Sequence, residues 1–440
     1  MFRKLLIANR GEIAVRIIKT CQQLDIRTVA VCSTADRHAG YTQLADEVVC
    51  IGPAAASGSY LNAEAILMAA INTHADAIHP GYGFLAENAD FAAMCAECGI
   101  TWIGPQTEQI KLMGDKARAK VFARQQDVPV LAGQSLQGLA WPEIKRAAAK
   151  IGFPLVLKAS YGGGGKGIRV LTNVHDLHQQ LRAARQEAAA SFLNDDMYLE
   201  QFLTTARHIE VQVLGTGRKL FILGDRDCSL QLHKQKVLEE SPASILTVTQ
   251  RRTLYDLSRQ LLAGTQYQSL GTIEYLFADG QFYFMEMNTR LQVEHGVTEL
   301  TTGIDIVAEQ IKQAAGVTID FPEHVGLKPK CTAIEARLTA SLPVKRTIIE
   351  TLNWPTNVRI DTDYHQGDRL VTMYDGLIAK LMVTGTDRQQ AVRHLQRALN
   401  QVTLTGPTTN LNFLRQTVAR PAYVDDRYTI HSLASWEASE

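Results

Sequence analysis

The sequence predicts an α/β fold that passes into α+β character toward its end, and three observations carry that reading. Short apolar runs alternate with helix-length amphipathic stretches from residue 5 to about residue 103. A four-glycine loop joins two strand-like runs at 153–170, and an aromatic-rich hairpin at 272–285 bears carboxylates that a plain hairpin would lack. At 440 residues, 46% hydrophobic and 20% charged, the chain is an ordinary globular sequence of two or three domains. Lys+Arg and Asp+Glu both count 45, so no overall field favours nucleic acid or an anionic membrane. Seven scattered cysteines suit reduced thiols better than a disulfide frame, and Cys95-Ala-Glu-Cys98 lacks the second pair of a zinc site. The N-terminus has no signal-peptide core and no run of 18 apolar residues occurs, so the expected location is cytoplasmic.

Residues 5–9 read as a buried strand, Arg10-Gly11-Glu12 as the turn into a helix ending near Leu24, and 28–33 as the next strand. This is a doubly wound βαβ unit without G-x-G-x-x-G, so dinucleotide binding is poorly supported. A helix near 62–72 and strands at 77–79 and 101–103 continue the alternation. The loop 79–84 follows a strand end, where open α/β sheets bind ligands; His79, Tyr82 and Glu87 are candidates there, against a plain Pro/Gly turn. Met113-Gly-Asp-Lys116 opens a new helix and a new domain, and Pro142 lies in the first turn of another.

At 153–170 a strand enters Gly162–Gly165 and leaves as a strand, with Lys158 and Lys166 at the ends. Bare amides beside cations suit a triphosphate, and because the loop joins two strands it reads as a flap and not a Walker loop. Residues 197–203 are a strand. In 207–214, Ile209, Val211 and Val213 take one face and His208, Glu210 and Gln212 the other, a cleft floor or a solvated surface. Arg226 and the run 231–236 supply cations for phosphate or bicarbonate.

Glu286, Asn288 and Arg290 share one side of the hairpin's second strand. A two-residue Asp279-Gly280 turn would pair 274 with 285 and set Glu274 and Glu286 on opposite faces. A three-residue loop from Ala278 would bring both to one Mg²⁺ or Mn²⁺. Glu294, just beyond, is a candidate general base. After Pro329, strand-like pieces at 331–338 (with Arg337), 358–360, 369–371 and 377–383 precede a helix at 388–401.

Taken together, Ile7-Ala-Asn-Arg-Gly-Glu-Ile13, His79-Pro-Gly-Tyr-Gly-Phe-Leu-Ala-Glu-Asn88, Gly114-Asp-Lys116, Lys158-Ala-Ser with its glycines, Glu286-Met-Asn-Thr-Arg-Leu-Gln-Val-Glu-His295 and Tyr374-Asp375 resemble the biotin carboxylase family of ATP-grasp enzymes along nearly the whole chain. The resemblance implies a Rossmann-like N-terminal domain (1–113), an ATP-grasp domain (114–329) with a mobile glycine-rich lid at about 131–203, and a C-terminal α+β domain (330–440). ATP would be held by Lys116, Lys158, Gly164, Gly165, Glu200, Gln201, Phe202, Leu203, His208, Gln231 and Lys234. Glu274, Glu286 and Asn288 would hold Mg²⁺ or Mn²⁺. Lys236, Arg290, Gln292 and Val293 would hold bicarbonate, with Glu294 the base, Arg337 stabilising the biotin enolate, and Tyr82 and Asp375 near biotin.

The implied activity is the first half-reaction of acetyl-CoA carboxylase in fatty acid biosynthesis, a ligase step. Its implied partners are a separate biotin carboxyl carrier protein, since no Ala-Met-Lys-Met motif occurs, carboxyltransferase subunits, and a second copy in a homodimer, with no nucleic acid and no membrane. The chain departs from the family at Gln201 (usually Lys), Leu232-His233-Lys234, Gly296 (usually Pro, expected to loosen the Glu294 loop), the shortened 338–343 segment, and Lys19 and Gln23 on the dimer face. These departures motivate an alternative, a nucleotide-binding paralogue that turns over poorly. An ATP-grasp ligase acting on another acceptor is a second alternative, against which Arg290, Glu294 and Arg337 count.

Overall fold

The computed structural model describes residues 1–159, 169–192, 195–233, 235–322, 325–341 and 347–437. Gly162–Gly165, Lys166, Lys234 and residues 342–343 of the shortened segment lie outside them. The N-terminal sheet holds β1 (Lys4–Ile7), β2 (Arg27–Ser33), β3 (Glu47–Gly52), β4 (Ala77–His79) and β5 (Thr101–Trp102), all parallel, in the order β3-β2-β1-β4-β5. The helix Gly11–Gln23 follows β1 directly and buries Ile13, Ala14, Ile17, Ile18 and Cys21. Asn62 and Asn88 start the next helices by accepting the N–H groups of Ala65 and Phe91. Asp115 does the same for the helix Lys116–Gln125, which presents Lys116 from its first position.

A separate four-stranded antiparallel sheet contains β6 (Gly133–Ser135), β7 (Leu155–Ala159), β8 (Arg169–Leu171) and β9 (Met197–Gln201). Its own core of Leu155, Leu157, Leu177, Leu181, Leu199 and neighbours is distinct from the cores beneath the larger sheet.

That larger sheet has eight strands in the order β14-β13-β10-β11-β12-β15-β18-β17. They are β10 (Arg207–Thr216), β11 (Leu220–Leu232), β12 (Gln235–Ser241), β13 (Gln268–Ala278), β14 (Gln281–Asn288), β15 (Thr332–Thr339), β17 (Arg359–Thr362) and β18 (Leu377–Gly385), with β16 (Thr351–Asn353) pairing separately with β19 (Thr403–Thr405). β12 and β15 are hydrogen-bonded neighbours, so the ladder runs without a break past residue 330. Residues 369–371 form no strand; Arg369 makes only an isolated bridge to Ile348. No helix among the described residues is long and apolar enough to cross a membrane.

The hairpin resolves its register in a way neither simple turn anticipated. Asp279 and Gly280 both have positive φ, 50° and 76°, and Ala278 faces Gln281, so the turn has two residues, not three. Tyr275 faces Phe284, yet Glu274 faces Glu286: Met285 is an extra residue, a β-bulge. The bulge restores the parity that the short turn alone would lose, and the two carboxylates lie opposite each other.

Alternation on β10 also holds, with Ile209, Val211 and Val213 in the core beneath the sheet and His208, Glu210 and Gln212 on the opposite face. There the fully buried Arg226 of β11 donates to Glu210 (3.0 Å), Gln212 (2.8 Å), Thr298 (3.0 Å), Thr272 (3.1 Å) and Gln292 (2.7 Å). One guanidinium thus satisfies acceptors from β10, β13, the helix His295–Thr302 and the loop before it. Arg226→Met would leave Glu210 buried with one cation fewer, and unfolding in urea should show a loss of about 3–5 kcal/mol; a variant as stable as the parent would remove Arg226 from the framework.

Candidate active site

One cavity of about 1110 Å³ lies between the sheets, and every described residue to which the resemblance gives a binding or catalytic role lines it, whereas the further candidates His79, Glu87 and Arg226 do not. Tyr82 and Asp375 stand with Arg10 at one end. Lys116, Lys158, Glu200, Gln201, Phe202, Leu203, His208 and Gln231 stand at the other, and Lys236, Glu274, Glu286, Asn288, Arg290, Gln292, Val293, Glu294 and Arg337 lie between.

Its centre is an ion cage around Lys236. This ammonium pairs with Glu210, with Glu274 at 3.1 Å and with Glu294 at 2.7 Å. Burial opposes its charge, but Glu210, Glu274 and Glu294 outweigh burial and raise it well above the ordinary lysine range. Burial pushes the Glu294 carboxyl up; Lys236, then Arg337 and Arg226, pull harder and hold it below its usual value, so Glu294 is a carboxylate. Arg337 Nη2 reaches Glu294 Oε2 at 2.9 Å. Lys380, itself buried, donates to the Val293 carbonyl at 2.9 Å and fixes the loop that presents Glu294.

Glu274 accepts from Asn288 Nδ2 (2.7 Å) and Gln292 Nε2 (2.8 Å), and lies 2.9 Å from His208 Nε2. Burial lowers the His208 imidazole, but the carboxylates of Glu274 and Glu210 beside its Nε2 raise it to about 9. Glu286 is paired with Lys116. Two carboxylates opposite each other on one face are unfavourable without intervening positive charge, and Lys116, His208 and Lys236 supply it. Glu274 and Glu286 present the oxygen donors that a divalent cation takes, and such an ion would replace part of that compensation. The Asn288 amide oxygen is turned to Arg290 Nη2 at 2.9 Å, so this third donor is engaged by an arginine. His208, Glu210 and Glu274 also bring ligand atoms within 4.8 Å of one another, but a protonated imidazole with an ammonium beside it repels a metal.

The end of the cavity expected to take ATP is apolar, as a flat ring would require. Leu131, Leu203, Leu276, Phe284 and Ile430 line it together with Met285, the bulge residue itself. Glu200 closes it, held by Lys158 at 2.6 Å and by Lys120. Lys120 is absent from the sequence reading, although it lies one helical turn after Lys116 and the i,i+4 spacing could have found it. Gln201 is exposed, and Phe202 packs against His431 at 5.0 Å between ring centres.

Other expectations change. His79 is no ligand: its Nδ1 accepts the Gly81 N–H at 3.0 Å, and burial lowers its imidazole to about 3, so it shapes the turn as a neutral ring. Glu87 acts on Arg290, accepting from Nε at 2.8 Å. Gln292 spends its side chain on Arg226 and Glu274. Gly296 does not loosen the loop; it is buried in the first turn of a helix, and a Cβ there would lie 2.3 Å from Met382 Sδ, which fills the space.

The sequence profile of the biotin carboxylase N-terminal domain matches residues 1–110, that of the carbamoyl-phosphate synthase L chain ATP-binding domain matches 115–321, and that of the biotin carboxylase C-terminal domain matches 335–435. The chain is 44% identical to a biotin carboxylase of Haemophilus influenzae over 93% of both chains. It is 40% identical to the mitochondrial propionyl-CoA carboxylase alpha chain of Homo sapiens over 96% of its own length and 60% of that protein's. The biotin carboxylase domain dimer of Hydrogenobacter thermophilus 2-oxoglutarate carboxylase, solved with MgADP, ADP and bicarbonate, superposes with a TM-score of 0.94 at 39% identity, covering 99% of this chain and 98% of that one.

Burial pushes the Glu200 carboxyl up, and Lys158 with Lys120 brings it below the ordinary 4.5. A carboxyl lowered in the folded state contributes stability that is present above its unfolded value and lost as pH falls through the lowered one. Lys120→Met should therefore cost about 1–3 kcal/mol near neutrality, read by urea unfolding, and the deficit should shrink below about pH 4. A deficit that is constant down to acid pH would contradict a charge-borne role.

Proposed function

The chain belongs to the biotin carboxylase family, and from that premise we propose that it carboxylates biotin with ATP and bicarbonate, biotin arriving on a separate carrier protein. The observation that carries this is the buried Glu294 carboxylate held between Lys236 and Arg337 inside the cavity that also contains Lys116, Lys158 and the Glu274–Glu286 pair.

ATP binds with its base in the apolar slot of Leu131, Leu203, Leu276, Met285 and Ile430, and its phosphates toward Lys116, Lys158 and His208. The outlying glycines and Lys234 add backbone donors and charge. Glu274 and Glu286, with Asn288 once its oxygen turns from Arg290, hold Mg²⁺ or Mn²⁺, which supplies charge neutralisation on the phosphates. Bicarbonate lies by Lys236 and Arg290, with Gln292 and the Val293 backbone around it. Glu294 takes its proton, the freed oxygen attacks the γ-phosphorus, and ADP leaves as the carboxyphosphate forms. That species yields CO₂ and phosphate in a site closed to water. Biotin, between Tyr82, Arg337 and Asp375, gives its N1 proton to the phosphate released with CO₂; Arg337 stabilises the enolate oxygen and N1 bonds to CO₂.

The near-complete coverage of stand-alone biotin carboxylases supports a subunit of an acyl-CoA carboxylase that works with a carrier protein and carboxyltransferase subunits. We assign acetyl-CoA, and so fatty acid biosynthesis in the cytoplasm, as its pathway. The dimeric neighbour supports a homodimer, with the exposed Lys19 and Gln23 on its face.

With ATP, Mg²⁺, bicarbonate and free biotin, the purified chain should release ADP in a bicarbonate-dependent, biotin-stimulated manner. Glu294→Gln should lower that rate by about 10²-fold or more while titration calorimetry still detects ATP binding. Binding without bicarbonate-dependent release in the parent chain would select the poorly active paralogue. Glu286→Gln should weaken the Mg²⁺ requirement curve, raising the Mg²⁺ needed for half-maximal rate by about tenfold; an unaltered curve would move the metal away from Glu286.

A further inference from the structure

Beneath Arg337 lie two carboxylates for which the reaction above has no use. Glu239 of β12 and Glu335 of β15 are direct cross-strand neighbours, and neither is exposed to solvent. Arg337 Nη2 approaches Glu239 Oε1 at 2.5 Å. That contact is an ion pair: neither oxygen of Glu239 and neither oxygen of Glu335 has a hydrogen-bond partner of good geometry among the described residues. The same guanidinium nitrogen reaches Glu294 at 2.9 Å. One cation is therefore divided between the base of the reaction and a buried acidic pair.

The charges facing this pair come from every neighbouring strand and loop. Arg337 shares β15 with Glu335, Lys236 shares β12 with Glu239, Lys380 comes from β18, and Glu294 from the loop after β14; the Cys228 thiol of β11 also faces Arg337. Two carboxylates side by side without water cannot both ionise. Glu239, against the guanidinium, takes the charge, and Glu335 takes the proton. Burial, opposed by Arg337, brings the Glu239 carboxyl up to about 7, and burial raises Glu335 well above its usual range, with Lys380 opposing.

We propose that Glu239 and Glu335 form one positioning unit for Arg337: a buried carboxylate pair that keeps one proton and holds the guanidinium partly away from Glu294. The inference rests on the carboxylation reading above. While Glu239 is charged, Arg337 is shared, Glu294 keeps more basicity, and the guanidinium is poised to turn to biotin. When Glu239 takes up a proton, Arg337 falls wholly to Glu294 and weakens the base. Neither carboxylate touches a substrate.

The test compares Glu239→Gln and Glu335→Gln in the full chain. Glu239→Gln imitates the protonated state, so Arg337 pairs with Glu294 alone. The acid limb of kcat/KM for bicarbonate should move down by roughly one pH unit, the plateau should fall about tenfold, and Glu239→Asp should restore part of both. Glu335→Gln keeps the neutral member neutral, so its acid limb should stay with that of the parent. Difference infrared spectra at neutral pH, which need no turnover, should contain a buried protonated carboxyl band that Glu335→Gln removes. Equal shifts of the acid limb in both variants, or no shift in Glu239→Gln with an unchanged melting temperature, would overturn the positioning role. Absence of the infrared band would overturn the shared proton. A parent chain with the band but no bicarbonate-dependent ADP release would instead sink the carboxylation reading and leave the pair intact.

Discussion

The structure depends on charge compensation among buried side chains that line one cavity. Lys236 alone meets three carboxylates, and Arg226, Arg337, Lys380 and His208 complete a lattice in which nearly every buried anion has a cation. In such surroundings an unpaired charge is costly, so the positions of these side chains are mutually fixed. Glu294 is held ionised and oriented because Lys236 and Arg337 are there. They in turn are held by Glu210, Glu274 and Glu239. This is preorganised electrostatics, and phosphoryl transfer makes its largest demand on that property.

The sheet geometry explains why such a lattice can form. Antiparallel strands bring residues far apart in sequence into direct opposition: Glu210 with Arg226, Glu210 with Glu274, Glu274 with Glu286 and Glu239 with Glu335 are all register partners. A line of partners across β11, β10, β13 and β14 carries Arg226, Glu210, Glu274 and Glu286 onto one face. The cavity floor is in effect a row of the ladder.

Much of this was legible in the sequence. Periodicity located most strands and the helices at 11–23, 63–72 and 388–401, and the alternation of 207–214 located the polar floor. The described residues to which the resemblance gives a binding or catalytic role converge on one cavity. What the sequence hid were properties that need a partner strand. The Met285 bulge depends on how Glu274 meets Glu286, and no local signal in 281–288 betrays it. His79 read as a site candidate because the burial that makes it a turn residue comes from packing that the local sequence does not contain. Gly296 read as a source of looseness because Met382, 86 positions later, was not in view. Arg369–Val371 had strand composition without a neighbour to complete a ladder.

The pairing of β12 with β15 has a consequence for the modularity of the chain. Three family profiles divide it, near 110 and near 330, as though it were three interchangeable pieces. Only the ladder decides whether they can be exchanged. Severing the chain at 330 would uncover the backbone donors and acceptors of residues 238–241, strip Arg337 from Glu294 and turn an interior strand into a sticky edge. Recombination at that seam would have to transplant three of the eight strands. The ATP-binding portion and the C-terminal portion are therefore expected to have been inherited together.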